Sequence, residues 1–493
     1  MAEVNLPKGW CLSRISDIAT KGEQRTPNAS EEFIYVDIGS INRDLKIIQT
    51  PQKLLGDSAP SRARKVINSG DVLVSLTRPN LNAVALVPDE LNEQIASTGF
   101  EVIKPLIVDG RYVFALTRSK HFIDAISGAV QGALYPAAKS SDVQGYEFPL
   151  PPLAEQKVIA EKLDTLLTQV DNTKARLERI PDILKRFRQS VLAATVSGKL
   201  TEEWREDNSC SDISDLVKTF SGLIKSKKIL ELADKPISAE EITIVTPGDW
   251  SWVRLSKIAD IASGVAKGSK SNGETVSRPY LRVANVQRGY LNLDEIKEIE
   301  VSPDKAESLK LQYGDILFNE GGDIDKLGRG WIWESQIDDC IHQNHVFRAR
   351  CFSEKIESKF ISFYGNSEGK EYFLRNGTQS VNLASINKTT LSLLPIPMPS
   401  PEEQTEIVRR VEELFAFADR IEQAAQAALS RVNNLTQSIL AKAFRGELTA
   451  DWRAANPELI CGEHSAEALL AKIKTERAKL SQTKKSWGKS VEN

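Results

Sequence analysis

The chain repeats itself, and the repeat constrains everything else. Leu12-Ser-Arg-Ile-Ser-Asp-Ile-Ala19 returns as Leu255-Ser-Lys-Ile-Ala-Asp-Ile-Ala262, and Gly70-Asp-Val-Leu73 as Gly314-Asp-Ile-Leu317. Pro149-Leu-Pro-Pro-Leu-Ala-Glu-Gln156 returns as Pro397-Met-Pro-Ser-Pro-Glu-Glu-Gln404. The longest block, Gln189 to Arg205, returns as Gln437 to Arg453 with Gln-Ser-x-Leu-Ala, Gly-x-Leu-Thr and Trp-Arg in register. The offset drifts only from 243 to 248 residues. Solenoid repeats run to about 20–45 residues, so this period describes a duplicated domain pair instead. Length agrees: 493 residues at roughly 150 per domain suggests about three units rather than one core.

Each repeat has two parts with different periods. Residues 1–150 and 246–398 carry short apolar runs punctuated by Gly, Pro and Asn, such as Phe33-Ile-Tyr-Val, Val72-Leu-Val, Tyr280-Leu-Arg-Val and Ile316-Leu-Phe. These read as strands joined by loops with short helices, an α+β class. The following segments, 151–200 and 399–450, instead step by three and four. The predicted seam is Ile159, Leu163, Leu166, Val170, Leu177, Ile180, Leu184, Phe187 and Val191 in the first. In the second it is Ile407, Val411, Leu414, Ala418, Ile421, Ala425, Ala428, Val432, Leu435 and Ile439. Four or more heptads are a coiled-coil signature. Prolines that cannot continue a helix backwards announce each one, and Gly198 and Gly446 supply the left-handed stop. Pro181 should kink the first. Each helix of about 45 residues would reach roughly 65 Å if straight. Two matched helices in one chain pair most simply with each other, and periodicity alone does not choose their symmetry. Residues 201–245 read as a linker with a short helix, and residues 451–493 as a helical tail whose apolar Leu469, Leu470 and Ile473 suit a covered surface.

Composition removes several classes of function. No run approaches the roughly 18 apolar residues of a membrane span, and the start lacks a signal-peptide core, so a cytoplasmic chain is expected. Five scattered cysteines without a C-x-x-C pair fit a reducing compartment. The balance of 64 basic and 67 acidic residues, net −3, gives no global attraction to nucleic acid. Local clusters stand out from Arg254 to Arg288 and from Lys174 to Lys199, with seven basic residues each. Nucleotide-loop motifs are absent, as is the Asn-Pro-Pro-aromatic tetrapeptide of an amino-group DNA methyltransferase. Gly321-Gly322 and Gly328-Arg-Gly330 suit turn geometry. Cys340, His342, His345 and Cys351 have no zinc-ligand spacing. No catalytic, cofactor-binding or metal-binding residue is expected.

The residues resemble one family closely, the DNA specificity subunit of type I restriction-modification systems. Leu6-Pro-Lys-Gly-Trp10, Gly70-Asp-Val-Leu-Val-Ser-Leu-Thr-Arg-Pro79 and Ser97-Thr-Gly-Phe100 are similar to strings in that family's target recognition domains. Pro149–Gln156 is similar to the approach to its helices, and Gly198-Lys-Leu-Thr201 and Gly446-Glu-Leu-Thr449, each followed by Trp-Arg, to their exits. The second domain departs from the pattern: Asn319-Glu-Gly-Gly322 stands where the first has Ser-Leu-Thr-Arg-Pro. The resemblance implies two target recognition domains separated by a long antiparallel two-helix coiled coil with an internal two-fold. Each domain would read half of a split double-stranded DNA site, and the helices would set the spacer. Two methyltransferase subunits and two restriction-translocase subunits would join the chain. S-adenosylmethionine, ATP and Mg would belong to those partners, with none bound here. A duplicated coiled-coil scaffold without DNA specificity is the alternative. Arg and Lys hold phosphates, while Arg, Asn and Gln read guanine and adenine edges. On charge and loop position the candidates are Arg62, Arg64, Lys65, Arg78, Asn80, Gln131 and Lys139 in the first domain. In the second they are Lys267, Lys270, Arg278, Asn285, Arg288, Lys326, Arg329 and Asn382.

Overall fold

The computed structural model describes residues 6–128, 137–208, 211–266, 273–379 and 383–489. The chain divides into two compact units, Met1–Glu178 with Gln426–Asn493, and Arg179–Ala425. Both are mixed α/β, and each joins one globular domain to helices from both repeats.

In the first unit, strand Cys11–Arg14 pairs antiparallel with Glu147–Leu150, which ties the start of the domain to its end. Between them lie two four-stranded sheets. One is mixed, in the order Gln52–Leu55, Glu32–Val36, Gln94–Ser97, Ala63–Ile67. The other is antiparallel, in the order Ala19–Thr20, Phe100–Pro105, Val72–Ser75, Val84–Leu86. Val72–Ser75 is buried along its whole length, which is why its sequence runs apolar instead of alternating. The second unit repeats the plan. Ser251–Arg254 pairs with Pro395–Met398, and Ala259–Ser263, Val346–Cys351, Ile316–Asn319 and Gly330–Ile332 form the four-stranded sheet. The mixed sheet there has three strands, Lys297–Val301, Val276–Leu281 and Ile341–His342.

Four helices pack into the cores of these units: α1 (Leu153–Glu178), α2 (Ile180–Val196), α3 (Pro401–Phe444) and α4 (Ala466–Lys489). The expected kink at Pro181 is a break at Arg179; Pro181 then occupies the first turn of α2, where a missing N–H costs nothing. In the first unit the start of α1 meets the end of α3. Ile159, Leu163 and Leu167 share a core with Leu440 and Ala443, and Lys162 Nζ donates to the Leu448 carbonyl at 3.0 Å. In the second unit the end of α2 meets the start of α3: Arg188 donates to Asp419 at 2.6 Å and Glu422 at 2.9 Å, and Arg410 to the Leu200 carbonyl at 2.8 Å. Both pairings are antiparallel. Two seam assignments need correction. Leu167, not Leu166, is fully buried, and Leu435 is 44% exposed. On a 3.6-residue helix each step of four turns the stripe by about 40°, against about 20° the other way for a heptad, so the run Ile159, Leu163, Leu167 swings the buried face off the heptad line that Leu166 would have kept.

Helices and domains share continuous cores. Helix α4 lays Ala466, Leu469 and Ile473 on the core of the first unit, and in the second Ile213, Val217 and Phe220 of the linker enter the core. A matched buried lock closes each helix-to-domain junction. Glu155 is fully buried and accepts hydrogen bonds from Trp10 Nε1 at 2.7 Å, from Thr449 Oγ1 at 2.7 Å and from Arg453. Glu403 does the same with Trp250 at 2.9 Å, Thr201 at 2.7 Å and Arg205. The Arg453 and Arg205 guanidiniums also cap the helix exits, donating to the carbonyls of Gly446 at 2.7 Å and Gly198 at 2.8 Å. Both glycines are left-handed, with φ of 72° and 74°. Next to each glutamate, Gln156 and Gln404 bind the prolines' carbonyls and receive the Asp109 and Glu357 backbone N–H. Each lock therefore joins the helix start of one repeat to the helix exit of the other.

Candidate nucleic-acid interface

Where the buried central strand leaves each four-stranded sheet, three chain segments cross. In the first domain Leu76 N–H donates to the Gly99 carbonyl at 2.9 Å, and the Leu76 carbonyl accepts from Ala138 N–H at 2.9 Å. In the second, Glu320 N–H donates to the His345 carbonyl at 2.9 Å, and its carbonyl accepts from Ile386 at 2.8 Å. The bridge between Thr77 and Ala137 corresponds to the pairing of Gly321 with Ser385. The backbone frame is shared, and the side chains on it differ. Leu76, Thr77, Arg78 and Gly99 occupy the places of Glu320, Gly321, Gly322 and His345. A loop tip held by backbone bonds, carrying interchangeable side chains, suits recognition.

Four candidates of the first domain gather around this crossing. Arg78 and Asn80 are exposed on the loop after the strand, and Arg78 takes a left-handed φ of 49° despite its side chain, a conformation found at functional loops. Exposed Arg62 receives the Thr98 N–H on its carbonyl at 2.9 Å, and exposed Lys139 follows the Ala138 crossing. Arg64 lies beside them, half-buried, with its guanidinium on the Ala63 carbonyl. Lys65 is a correction: it forms an ion pair with Glu101 at 3.1 Å, and both side chains are largely buried. Lys46, which no sequence pattern singles out, donates to the Asn82 carbonyl at 2.6 Å beneath the Arg78 loop. Burial, reinforced by Arg118, pushes its ammonium down to about 8.

The second domain uses its basic residues differently. Asn285 is a correction: it is 3% exposed and staples its own loop, receiving Arg282 N–H and donating to the carbonyls of Asn292 and Glu295. Arg288 donates to the Asn366 carbonyl at 2.7 Å, Arg329 to Gln287 at 2.9 Å, Lys326 pairs with Asp323, and Arg278 lies 4.0 Å from Asp339. Arg254, inside the basic cluster, is 2% exposed and gripped by Glu241. Gln131, Lys267, Lys270 and Asn382 lie outside the described residues. The features that sequence reasoning missed are Glu320 and His345, which bond to each other through Nδ1. They line a cleft of about 560 Å³ with Val283, Thr378 and Leu383. Among the described residues no three His, Cys, Asp or Glu side chains group to hold a metal, and no helix is long and apolar enough to cross a membrane.

Comparison with known proteins places this geometry. The family described as type I restriction modification DNA specificity domain matches residues 7–182 and 247–431. The chain is 34% identical to the type I restriction enzyme EcoKI specificity subunit of Escherichia coli K12, covering 99% of this chain and all of that one. It is 35% identical to the StySPI specificity subunit of Salmonella potsdam, over 96% of each. Among solved structures, the HsdS subunit of Thermoanaerobacter tengcongensis superposes with a TM-score of 0.60 at 26% identity, covering 90% of this chain and 99% of that one. A second structure, from work on complex assembly and conformational transition of the type I R-M system, gives a TM-score of 0.60 at 27% identity over the same 90% of this chain.

Proposed function

The chain belongs to the type I restriction-modification DNA specificity family, as a specificity subunit, and we propose that its two domains each read one half of a split double-stranded DNA target. The observation that carries this reading is the shared crossing that presents Leu76, Thr77, Arg78 and Gly99 in one domain and Glu320, Gly321, Gly322 and His345 in the other. A common frame with different side chains is what reading two different sequences requires. The antiparallel contacts of α3 with α1 and with α2 support a second element of the proposal, a paired coiled coil that fixes the spacer. The chain itself is non-catalytic. It docks two methyltransferase subunits and two restriction-translocase subunits, which bring S-adenosylmethionine, ATP and Mg, and it works in the cytoplasm.

Transplanting residues 1–150 from a relative of different target tests the reading. Methylome sequencing of the hybrid, expressed with its methyltransferase, should show one altered half-site and one retained. A change in both halves rejects modular reading. A wild-type assembled complex that methylates without sequence preference, or binds no DNA, rejects the specificity role and leaves a scaffold.

A further inference from the structure

The cleft beside the second crossing has a chemistry the basic candidates lack. Glu320 is 30% exposed and His345 53% exposed at its mouth. Asn344 Nδ2, a donor, lies 3.3 Å from His345 Nε2, so the ring proton sits on Nδ1 and points at Glu320 Oε2. That bond orients the carboxylate and leaves its second oxygen without a partner among the described residues. Gly321 lets the wall close, because a Cβ there would stand 2.2 Å from the Ala384 carbonyl. Leu383, 57% exposed, adds an apolar wall. A carboxylate offers only acceptors, so it repels phosphate and the acceptor edges of guanine and thymine. What it accepts is an N–H.

Resting on the DNA-specificity reading, we propose that Glu320, oriented by His345, is a specificity-determining residue of the second half-site. It reads the exocyclic amino group of a cytosine or adenine on the major-groove edge. The first domain has Leu76 and Gly99 at these places and makes no such reading there. Glu320 is thus a base reader, and His345 its positioning residue.

The test uses the complex assembled with its methyltransferase and a duplex library randomised in both half-sites, read by sequencing the methylated molecules. Wild type should select cytosine or adenine at one position of the second half-site, and which of the two is selected identifies the base. E320Q should lower that selectivity roughly 10- to 100-fold, the range of one base-edge contact. H345N should lower it less. The first half-site, read in the same molecules, should keep its preference in both variants. An E320Q complex with unchanged selection at every position overturns the proposal. If E320Q loses activity at both half-sites, the wild-type complex decides alone: duplexes with the amino group removed from the selected base should bind roughly 10-fold or more weakly. Unchanged binding overturns the proposal. A wild-type complex that selects nothing in either half-site sinks the DNA-specificity reading instead.

Discussion

Substitution of Glu403 by alanine should destabilise the unit Arg179–Ala425 more than any single change on its surface. The carboxylate is fully buried and receives three donors: the Trp250 indole at 2.9 Å, the Thr201 hydroxyl at 2.7 Å and the Arg205 guanidinium. Removing it strands all three, and Arg205, with its side chain 15% exposed, is left as an unpaired charge. Breaking a buried pair from one side costs about 3–5 kcal/mol. Arg205 keeps its bond to the Gly198 carbonyl and touches solvent, so the low end, about 3 kcal/mol, applies. For a unit of this size that is roughly 6–12 °C in melting temperature. E403Q retains an acceptor but turns an amide N–H towards one of the donors, and about 2 kcal/mol should be lost. Thermal unfolding by circular dichroism gives the magnitude, and hydrogen-exchange mass spectrometry gives the location. Exchange should rise around 198–205 and 250–254 and stay unchanged around 7–14 and 446–453. An E403A protein melting within about 2 °C of wild type would refute the reasoning.

Three further outcomes are expected. G446A and G198A should each cost about 2 kcal/mol or more in urea titrations, since the left-handed φ is strained for alanine and the added methyl would meet Pro7 or Pro247 at 2.5 Å; a cost under about 0.5 kcal/mol contradicts this. Burial pushes the His342 imidazole down from 6.5 to about 4, so the unfolded chain binds the extra proton between those values. Stability from this group is therefore complete above about pH 6.5 and falls by about 3 kcal/mol towards pH 4; H342N should flatten that slope, and an unaltered slope rejects the assignment. R78A should weaken DNA binding of the assembled complex and, if the contact is to phosphate, reduce the log–log salt slope by about 0.9; a shift confined to one base preference would instead make Arg78 a base reader.

The duplication, the helices and their Pro and Gly boundaries are legible in the sequence because they rest on local periodicity and backbone chemistry. The pairing inside the locks is not. Glu155 and Arg453 look like members of separate motifs until the fold brings the helix start of one repeat to the exit of the other, Glu155 and Thr449 being 294 positions apart. Charge and loop position also fail to separate a DNA contact from an internal one. Arg254, Lys65 and Asn285 carry the right chemistry, but neighbouring carboxylates and carbonyls already consume it. The pairing of Glu320 with His345 is hidden from the sequence for the converse reason. Their meeting depends on two strands crossing, and neither residue belongs to a basic patch.

On the proposed reading, fold and address are carried by different kinds of residue, and the difference is energetic. Glu155, Gln156, Glu403 and Gln404 are fully buried, so any change strands buried partners at a cost of about 1–3 kcal/mol each. At the crossings the holding bonds belong to the backbone, between Leu76 and Gly99 and between Glu320 and His345, and any residue but proline supplies the donor. Thr77, Arg78 and His345 face solvent there, where substitutions cost roughly 0.5 kcal/mol or less, whereas half-buried Leu76 packs on the core and Gly321 leaves no room for a Cβ. Within one chain, two copies of the frame have kept the locks residue for residue while carrying Leu-Thr-Arg at one tip and Glu-Gly-Gly at the other. A reader of sequence can change what it reads on such a frame without having to refold around the change.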